Sequence, residues 1–300
     1  MLATALATAG EPLRRVDRME RAVGIIGGGT MGVGVAYRFA VAGASVHLAD
    51  LDLDHAKQSV AQVRASLDIG VERGKLGQDT AAQAGARITA VASIDDLPEG
   101  LALIVEAVVE DMSLKADVLG AAEQRRPDVL ASNTSSISID DLAAGLQTPQ
   151  SFAGMHFFNP VWAIHLVEVI RGAATSDITL ATILETVGFL GMEAAVVNDV
   201  PGFASSRLGI MLGLEAIRMV EEGVAEPEAI DRTMELGYRH AMGPLRTGDL
   251  VGLDVRLAIA EHLAGVYGER FEPPALLRKM VEEGKLGRKS GEGFYEWPQE

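Results

Sequence analysis

Strand and helix patterns alternate from Arg21 to about Asn198, a glycine-rich turn sits at the first strand–helix junction, and helical patterns alone follow Pro201-Gly202. These observations predict an α/β fold: a Rossmann-type doubly wound sheet followed by a smaller all-α domain. Strands are expected at 22–26, 45–49, 87–91, 102–108, 129–132, 152–157, 164–170 and 193–197, where short apolar or alternating runs are rich in β-branched residues. Between them, helical periodicity fills 30–42, 54–73, 113–125 and 177–190. No helix separates the strands at 152–170, which breaks the βαβ rhythm and predicts an antiparallel pair. Past the Pro-Gly, 203–222, 226–237, 248–266 and 274–283 read as helices with no strand between them. The chain is thus expected to divide into domains at 19–199 and 200–300, joined near 198–202.

Residues 1–18, MLATALATAGEPLRRVDR, read as a tail outside the core. They lack the positive start of a secretory signal, and Glu11 and Asp17 argue against a transit peptide. Met19, directly before the first strand, is the expected natural start.

A chain of 300 residues buries enough surface to fold without staples. The absence of cysteine removes disulfides, thiolate nucleophiles and Cys-ligated zinc, and fits a reducing cytoplasm. Six histidines (His47, His55, His156, His165, His240 and His262) form no tight ligand spacing, so no metal site is expected. Net charge is −16, from 42 acidic and 26 basic residues. Such a surface repels nucleic acid and anionic membranes, and an anionic ligand would need a local basic patch. No apolar run approaches the ~20 residues of a membrane span.

Residues 22–32 read AVGIIGGGTMG. An apolar strand runs into Gly27, Gly29 and Gly32, the G-x-G-x-x-G spacing, as a helix opens with Thr30 and Met31. Gly27 permits the tight turn, Gly29 (beside Gly28) lets backbone approach a pyrophosphate, and Gly32 allows helix to pack on strand. Glycine-rich turns are common, but this one meets a second strand, SVHLA, ending in Asp50, 18 residues past Gly32. A carboxylate there accepts hydrogen bonds from adenosine ribose hydroxyls and repels a 2′-phosphate, which favours NAD over NADP. Asp52 and Asp54 either strengthen that repulsion or cap the next helix.

Further on, HFFNPVWAIHLVEVI (156–170) places Glu168 inside a mostly buried strand, where a carboxylate is costly unless paired. His156, twelve residues upstream across a turn made by Asn159 and Pro160, is the expected partner. An imidazole held by a buried carboxylate is a standard general base near neutral pH. The bland alternative is a solvated edge strand whose His and Glu never meet. A third cluster, VLASNTSSI (129–137), ends an apolar strand in Asn133, Thr134, Ser135 and Ser136, at the edge where doubly wound sheets bind ligands. Taken alone, those hydroxyls are more readily read as ordinary helix caps for the following segment.

Together these residues resemble the L-3-hydroxyacyl-CoA dehydrogenase family, including the bacterial 3-hydroxybutyryl-CoA dehydrogenases. The resemblance runs from Arg21 to Trp297 and rests on seven strings in the same order. They are GIIGGGTMG (24–32), VEAVVEDMSLK (105–115), ASNTSS (131–136), HFFNP…LVEVI (156–170), NDVPGF (198–203), MGPLRTGDLVGLD (242–254) and GRKSGEGFY (287–295). It implies that His156 is the base and Glu168 the carboxylate orienting it. By the same match, Ser135 and Asn159 contact substrate and nicotinamide, and Glu110, Lys115 and Lys289 contact NAD. Ser66 and Arg73 match contacts to coenzyme A, on a helix that also bears Lys57 and Arg64, with Lys75 just beyond. That basic patch answers the charge argument, although a solvated helix face accounts for it too. The implied protein is a cytoplasmic homodimer of fatty-acid metabolism. Its helical domain would serve dimerisation and its substrate would lie between the domains.

The chain departs from the family pattern at three positions. Ser206 stands in PGFASSR where Asn is usual, keeping hydrogen-bonding ability with shorter reach. Trp162 and His165 replace small residues and a lysine; Trp162 either joins the core or narrows the acyl pocket, and strand parity turns His165 away from Glu168. Two other functions stay open on sequence grounds. One is a related NAD-dependent dehydrogenase of a free hydroxy acid, which would not need the basic helix. The other is a non-catalytic NAD-binding or structural protein, which would not need the His–Glu pair.

Overall fold

The computed structural model describes residues 22–298; the tail at 1–18 and Met19 lie outside the described residues. Strands β1 (Val23–Ile26), β2 (Val46–Ala49), β3 (Ile88–Val91), β4 (Leu103–Glu106), β5 (Val129–Ser132), β6 (Phe152–Phe157), β7 (Leu166–Arg171) and β8 (Glu193–Asn198) form one sheet. Their spatial order is β3-β2-β1-β4-β5-β6-β7-β8. Every pairing is parallel except β6 with β7, because the link 158–165 contains no crossover helix. Crossovers are made by α1 (Thr30–Ala42), α2 (Leu53–Glu72), α3 (Gln78–Ala86), α4 (Met112–Glu123), α5 (Ile139–Ala143) and α6 (Asp177–Phe189). Strands β1, β4 and β5 are buried at every position, as continuous apolar strands covered on both faces must be.

Strand order reverses between β1 and β4, and the carboxyl edge at such a switch point is where these sheets bind ligands. Gly27, Asp50, Ala107 and Asn133 follow the ends of β1, β2, β4 and β5 at that edge. Strand β6 is parallel to β5 and finishes there, so His156 arrives beside them, while β7 starts from the same edge. The topology thus gathers the chemistry-bearing strings into one row.

Besides the short α5, which no helical pattern announced, three elements differ from the sequence reading. Helix α3 was not anticipated, since QDTAAQAGA buries only Ala81 and Ala84 and so shows no large apolar stripe. The helix expected at 248–266 is two, α9 (Pro244–Val251) and α10 (Leu253–Tyr267), broken at Gly252, whose φ of +106° no helix accommodates. The one expected at 226–237 is α8 (Pro227–Arg232) followed by a π turn, Thr233–Gly237.

The chain falls into two compact units, divided between Asp199 and Val200. The second contains α7 (Ser205–Glu221), α8, α9, α10 and α11 (Ala275–Glu282) around its own core, with Leu214, Leu245, Leu263, Phe271 and Leu277 fully enclosed. Buried Asp249 ties its last segment down, accepting from Phe294 N, Tyr295 N and Trp297 Nε1 at 3.0, 2.9 and 2.9 Å. Among the described residues no helix is long and apolar enough to cross a membrane.

The β6–β7 pairing is tight at Gly154, where an added Cβ would stand 2.8 Å from Ile170 Cβ and 3.0 Å from Ile139 Cδ1. Gly154→Ala is expected to cost about 1–3 kcal/mol by overpacking. A urea midpoint equal to that of the wild type would show that the hairpin has room to spare.

Candidate active site

Antiparallel register sets His156 directly opposite Glu168. Met155, Phe157, Val167 and Val169 fill the core on one face, so the strand period of two turns His156 and Glu168 together onto the other. Glu168 is only 2% exposed, and its Oε2 lies 3.0 Å from His156 Nδ1. A carboxylate can only accept, so Nδ1 carries the hydrogen and donates it, which fixes the ring and leaves proton exchange to Nε2. Phe158 packs on the imidazole at a centroid distance of 4.5 Å. Asn133, named from the sequence only as part of the VLASNTSSI cluster and given no role of its own, accepts at Oδ1 from Phe157 N at 2.8 Å and so ties the end of β5 to the backbone beside His156. Its only signal was an amide ending an apolar strand.

The turn after β5 is organised by Glu110. Its Oε1 gathers the Thr134 hydroxyl at 2.7 Å and the backbone N–H groups of Ser135 and Ser136 at 2.8 and 3.0 Å. The Ser135 and Ser136 hydroxyls lie at 3.2 and 3.0 Å from the same oxygen. Burial pushes this carboxyl up, but the Thr134 hydrogen bond, the Lys115 charge and the serine donors together hold it below its ordinary range. Thr134 Oγ1 in turn accepts from Ile137 N at 2.9 Å, so the hydroxyl run builds a turn; the cap of α5 is Ser138.

Lys115 is fully buried. Its Nζ donates to Glu106 Oε1 at 2.7 Å and to the Val108 carbonyl at 3.3 Å, and lies 3.4 Å from Glu110 Oε2. Glu106, also fully buried, accepts from Val108 N at 2.7 Å and Ser132 Oγ at 2.6 Å. The sequence reading matched Lys115 to a cofactor contact and missed Glu106 altogether, because the strand LIVE shows nothing but an acidic end.

At the glycine turn, Gly27 has φ +98°, and a Cβ there would stand 2.7 Å from the Ala107 carbonyl oxygen. At Gly32 a Cβ would overlap the Gly27 carbonyl itself. No side chain caps α1, so its first N–H groups, from Thr30, Met31 and Gly32, face outward beside Gly29, which has open space where a Cβ would be. That cradle fits a pyrophosphate. Asp50 accepts from Gly28 N at 3.1 Å and Leu51 N at 2.8 Å, which sets its carboxylate at the turn. Ser59, also missed, is buried between them, 3.1 Å from Gly28 O and 3.3 Å from Asp50 Oδ2. Asp52 is the N-cap of α2, accepting from Asp54 N and His55 N at 2.9 Å.

The basic residues of α2 do not form one patch. Lys57 and Arg64 share a face, where Lys57 lies 3.6 Å from Asp54 Oδ1 and Arg64 donates to Gly85 O at 3.4 Å. Ser66 and Arg73 share another, about 200° round the helix from Arg64. Ser66 donates back to Gln62 O at 2.9 Å, and Arg73 is exposed at the C-terminal cap. Asn159 is exposed at the start of the 158–165 link. Trp162, on that link, is not a core aromatic: it is 43% exposed and meets Tyr37 edge-on at 6.2 Å. His165 Nδ1 lies 3.1 Å from Arg38, turned from Glu168. In the second unit, Lys289 Nζ donates to Asp254 Oδ2 at 2.6 Å, and Ser206 occupies the first turn of α7. Among the described residues no group of His, Asp and Glu is placed to hold a metal ion.

The model of the 3-hydroxyacyl-CoA dehydrogenase NAD-binding domain matches residues 22–200, and that of the C-terminal domain matches 202–297. A relative from Deinococcus radiodurans, named probable 3-hydroxybutyryl-CoA dehydrogenase, is 44% identical over 277 residues, covering 91% of this chain and 99% of its own. A 3-hydroxybutyryl-CoA dehydrogenase of Bradyrhizobium diazoefficiens is 40% identical over 278 residues, with coverages of 92% and 94%. The solved structure of (S)-3-hydroxybutyryl-CoA dehydrogenase from Ralstonia eutropha is similar at TM-score 0.88 and 41% identity, over 93% of this chain and 99% of that one.

The depressed Glu110 carboxyl carries a pH signature. A group whose folded pKa lies below its unfolded value near 4.5 adds stability above that value and loses it as pH falls through the folded pKa. Glu110→Gln is therefore expected to lower the urea midpoint at about pH 7, with the gap to wild type closing below about pH 4.5. A gap that is the same at about pH 3 would show that ionised Glu110 is not what holds the turn.

Proposed function

The chain belongs to the 3-hydroxyacyl-CoA dehydrogenase family, and from that membership we propose the following reading of its chemistry. It is an NAD-dependent oxidoreductase that interconverts L-3-hydroxyacyl-CoA and 3-oxoacyl-CoA, with short acyl chains as the preferred substrates and His156 as the general base. The observation that carries this reading is the buried 3.0 Å contact between His156 Nδ1 and Glu168, at the sheet edge that also bears the glycine and serine turns. Nothing about folding asks for a buried carboxylate with an imidazole partner there.

When bound, NAD supplies the nicotinamide carbon that accepts or gives hydride. Gly27, Gly28, Gly29, Thr30, Met31 and Gly32 would hold its pyrophosphate and Asp50 its adenosine ribose. The remaining contacts fall to Glu110, Ser135, Asn159 and Lys289; Lys115, matched to such a contact by sequence, has no exposed surface and acts on the cofactor through Glu110. In oxidation, His156 takes the 3-hydroxyl proton at Nε2 as the C3–H bond gives up hydride, so that alcohol becomes ketone with the loss of two electrons and two hydrogens. In reduction the same atom returns the proton. Glu168 keeps the ring oriented and stabilises the imidazolium, as the buried acid does in a Ser-His-Asp triad. Ser135 and Asn159 align the substrate for transfer. Ser66 and Arg73 receive coenzyme A, and Ser206 is a weaker contributor.

The domain roles complete the reading: 19–199 binds NAD, and 200–300 makes a homodimer in the cytoplasm. Leu208, Leu250, Val251 and Val255 are exposed on the second unit, which supports a covering copy of the chain.

Purified protein is expected to consume NADH with acetoacetyl-CoA, and not with free acetoacetate. Absence of turnover across acyl-CoA chain lengths overturns the assignment, and equal turnover of the free acid favours a hydroxy-acid dehydrogenase. His156→Ala is expected to lower kcat by about 10²- to 10⁴-fold with the fold intact; near-normal turnover removes His156 as the base.

A further inference from the structure

Glu106 and Lys115 form a charge pair with no exposed surface, a few residues from the turn that carries Ser135. Breaking such a pair is costly, yet keeping it gives little stability over apolar residues of similar size. What it does provide is direction. Register sets Glu106 opposite Ser132 at the ends of β4 and β5, and each oxygen of Glu106 has its own task. Oε2 accepts from Ser132 Oγ at 2.6 Å; Oε1 takes Val108 N and Lys115 Nζ, both at 2.7 Å. That anchors the backbone leaving β4 and draws the Lys115 ammonium in from the first turns of α4. The ammonium is shared with Glu110 Oε2 at 3.4 Å, and Glu110 Oε1 gathers Thr134, Ser135 and Ser136.

We propose that Glu106 is a positioning residue for the reaction, acting through Lys115 to hold Glu110 and thereby the Thr134–Ser136 turn. Glu106 has no surface, so it touches neither substrate nor cofactor. Two carboxylates share one cation, and the buried one decides where that cation sits. Lys115 then serves the site chiefly by orienting Glu110. The inference rests on the reading of Ser135 as a residue that meets substrate and nicotinamide.

The test compares the full-length wild type with Glu106→Gln, Lys115→Met and the double variant Glu106→Gln/Lys115→Met. Glutamine keeps the shape of Glu106 and its capacity to bond Val108 and Ser132. Lys115→Met strands a buried charge and should lose thermal stability, whereas the double variant removes both charges and should regain it. A pair that only supports the fold predicts that activity returns with Tm. A positioning pair predicts otherwise: Tm recovers, kcat with acetoacetyl-CoA and NADH stays about 10²-fold down, and both KM values stay within about threefold. Recovery of kcat together with Tm overturns the inference. Should the double variant not fold, Glu106→Gln alone reads the same split, and an unchanged kcat overturns it. An inactive wild type removes the proposed function and this inference together; an active wild type with fully active variants removes only this inference.

Discussion

A carboxylate inside an apolar sheet has to be met by donors or a cation, and that requirement shapes the functional edge of this molecule. Glu168 meets it through His156 across the β6–β7 pair, and Glu106 through Lys115, Ser132 and the Val108 N–H. In each case the partner's position follows from the need. His156 must lie opposite Glu168 in register, and Lys115 must fold back from α4 toward β4. The ring orientation, the turn after β4 and the serine turn after β5 are consequences of two buried negative charges.

Topology brings these solutions together. A parallel sheet delivers every strand end to one edge, and the single antiparallel pair keeps His156 and Glu168 at that edge. The two strand-end residues Glu106 and Ser132 are neighbours because β4 and β5 run in register; Asn133, one residue on, reaches the backbone of Phe157. Hydrogen bonds therefore link the ends of β4, β5 and β6 laterally. The glycine turn joins the row differently: Gly27 passes so close to Ala107 that a side chain would not fit.

The parts of this arrangement that could be read from sequence are those with a period. Alternation in LVEVI sets Glu168 on the face opposite to Val167 and Val169, and the missing helix between 157 and 166 signals the hairpin. The glycine spacing and Asp50 are legible because each lies at a strand end in a βαβ unit. Glu106 was not legible: an acid closing an apolar strand looks like a solvated end, and only the third dimension shows Lys115 returning to it nine residues later. Helix α3 was hidden by small side chains, and the break between α9 and α10 by an apolar pattern that runs through Gly252. Ser59 was hidden because a buried serine on a helix gives no signal apart from the two groups it bridges.

Charge sets a final constraint. With a net charge of −16, the protein's long-range field opposes an approaching polyanion, and counterions screen that field beyond about 8–10 Å. Recognition of a phosphate-bearing ligand then has to come from short-range donors. Several cations of the first unit have partners already: Lys57 stands by Asp54, Arg64 by Gly85 O and Lys115 by Glu106; in the second unit Lys289 stands by Asp254. Arg73 and Lys75 differ, standing exposed where α2 ends, and a helix C-terminus favours cations there. The open N–H groups of α1 add a second short-range source of positive potential. Short-range positive potential in this molecule is therefore local, at one backbone cradle and one helix end, and it opposes the field of the whole.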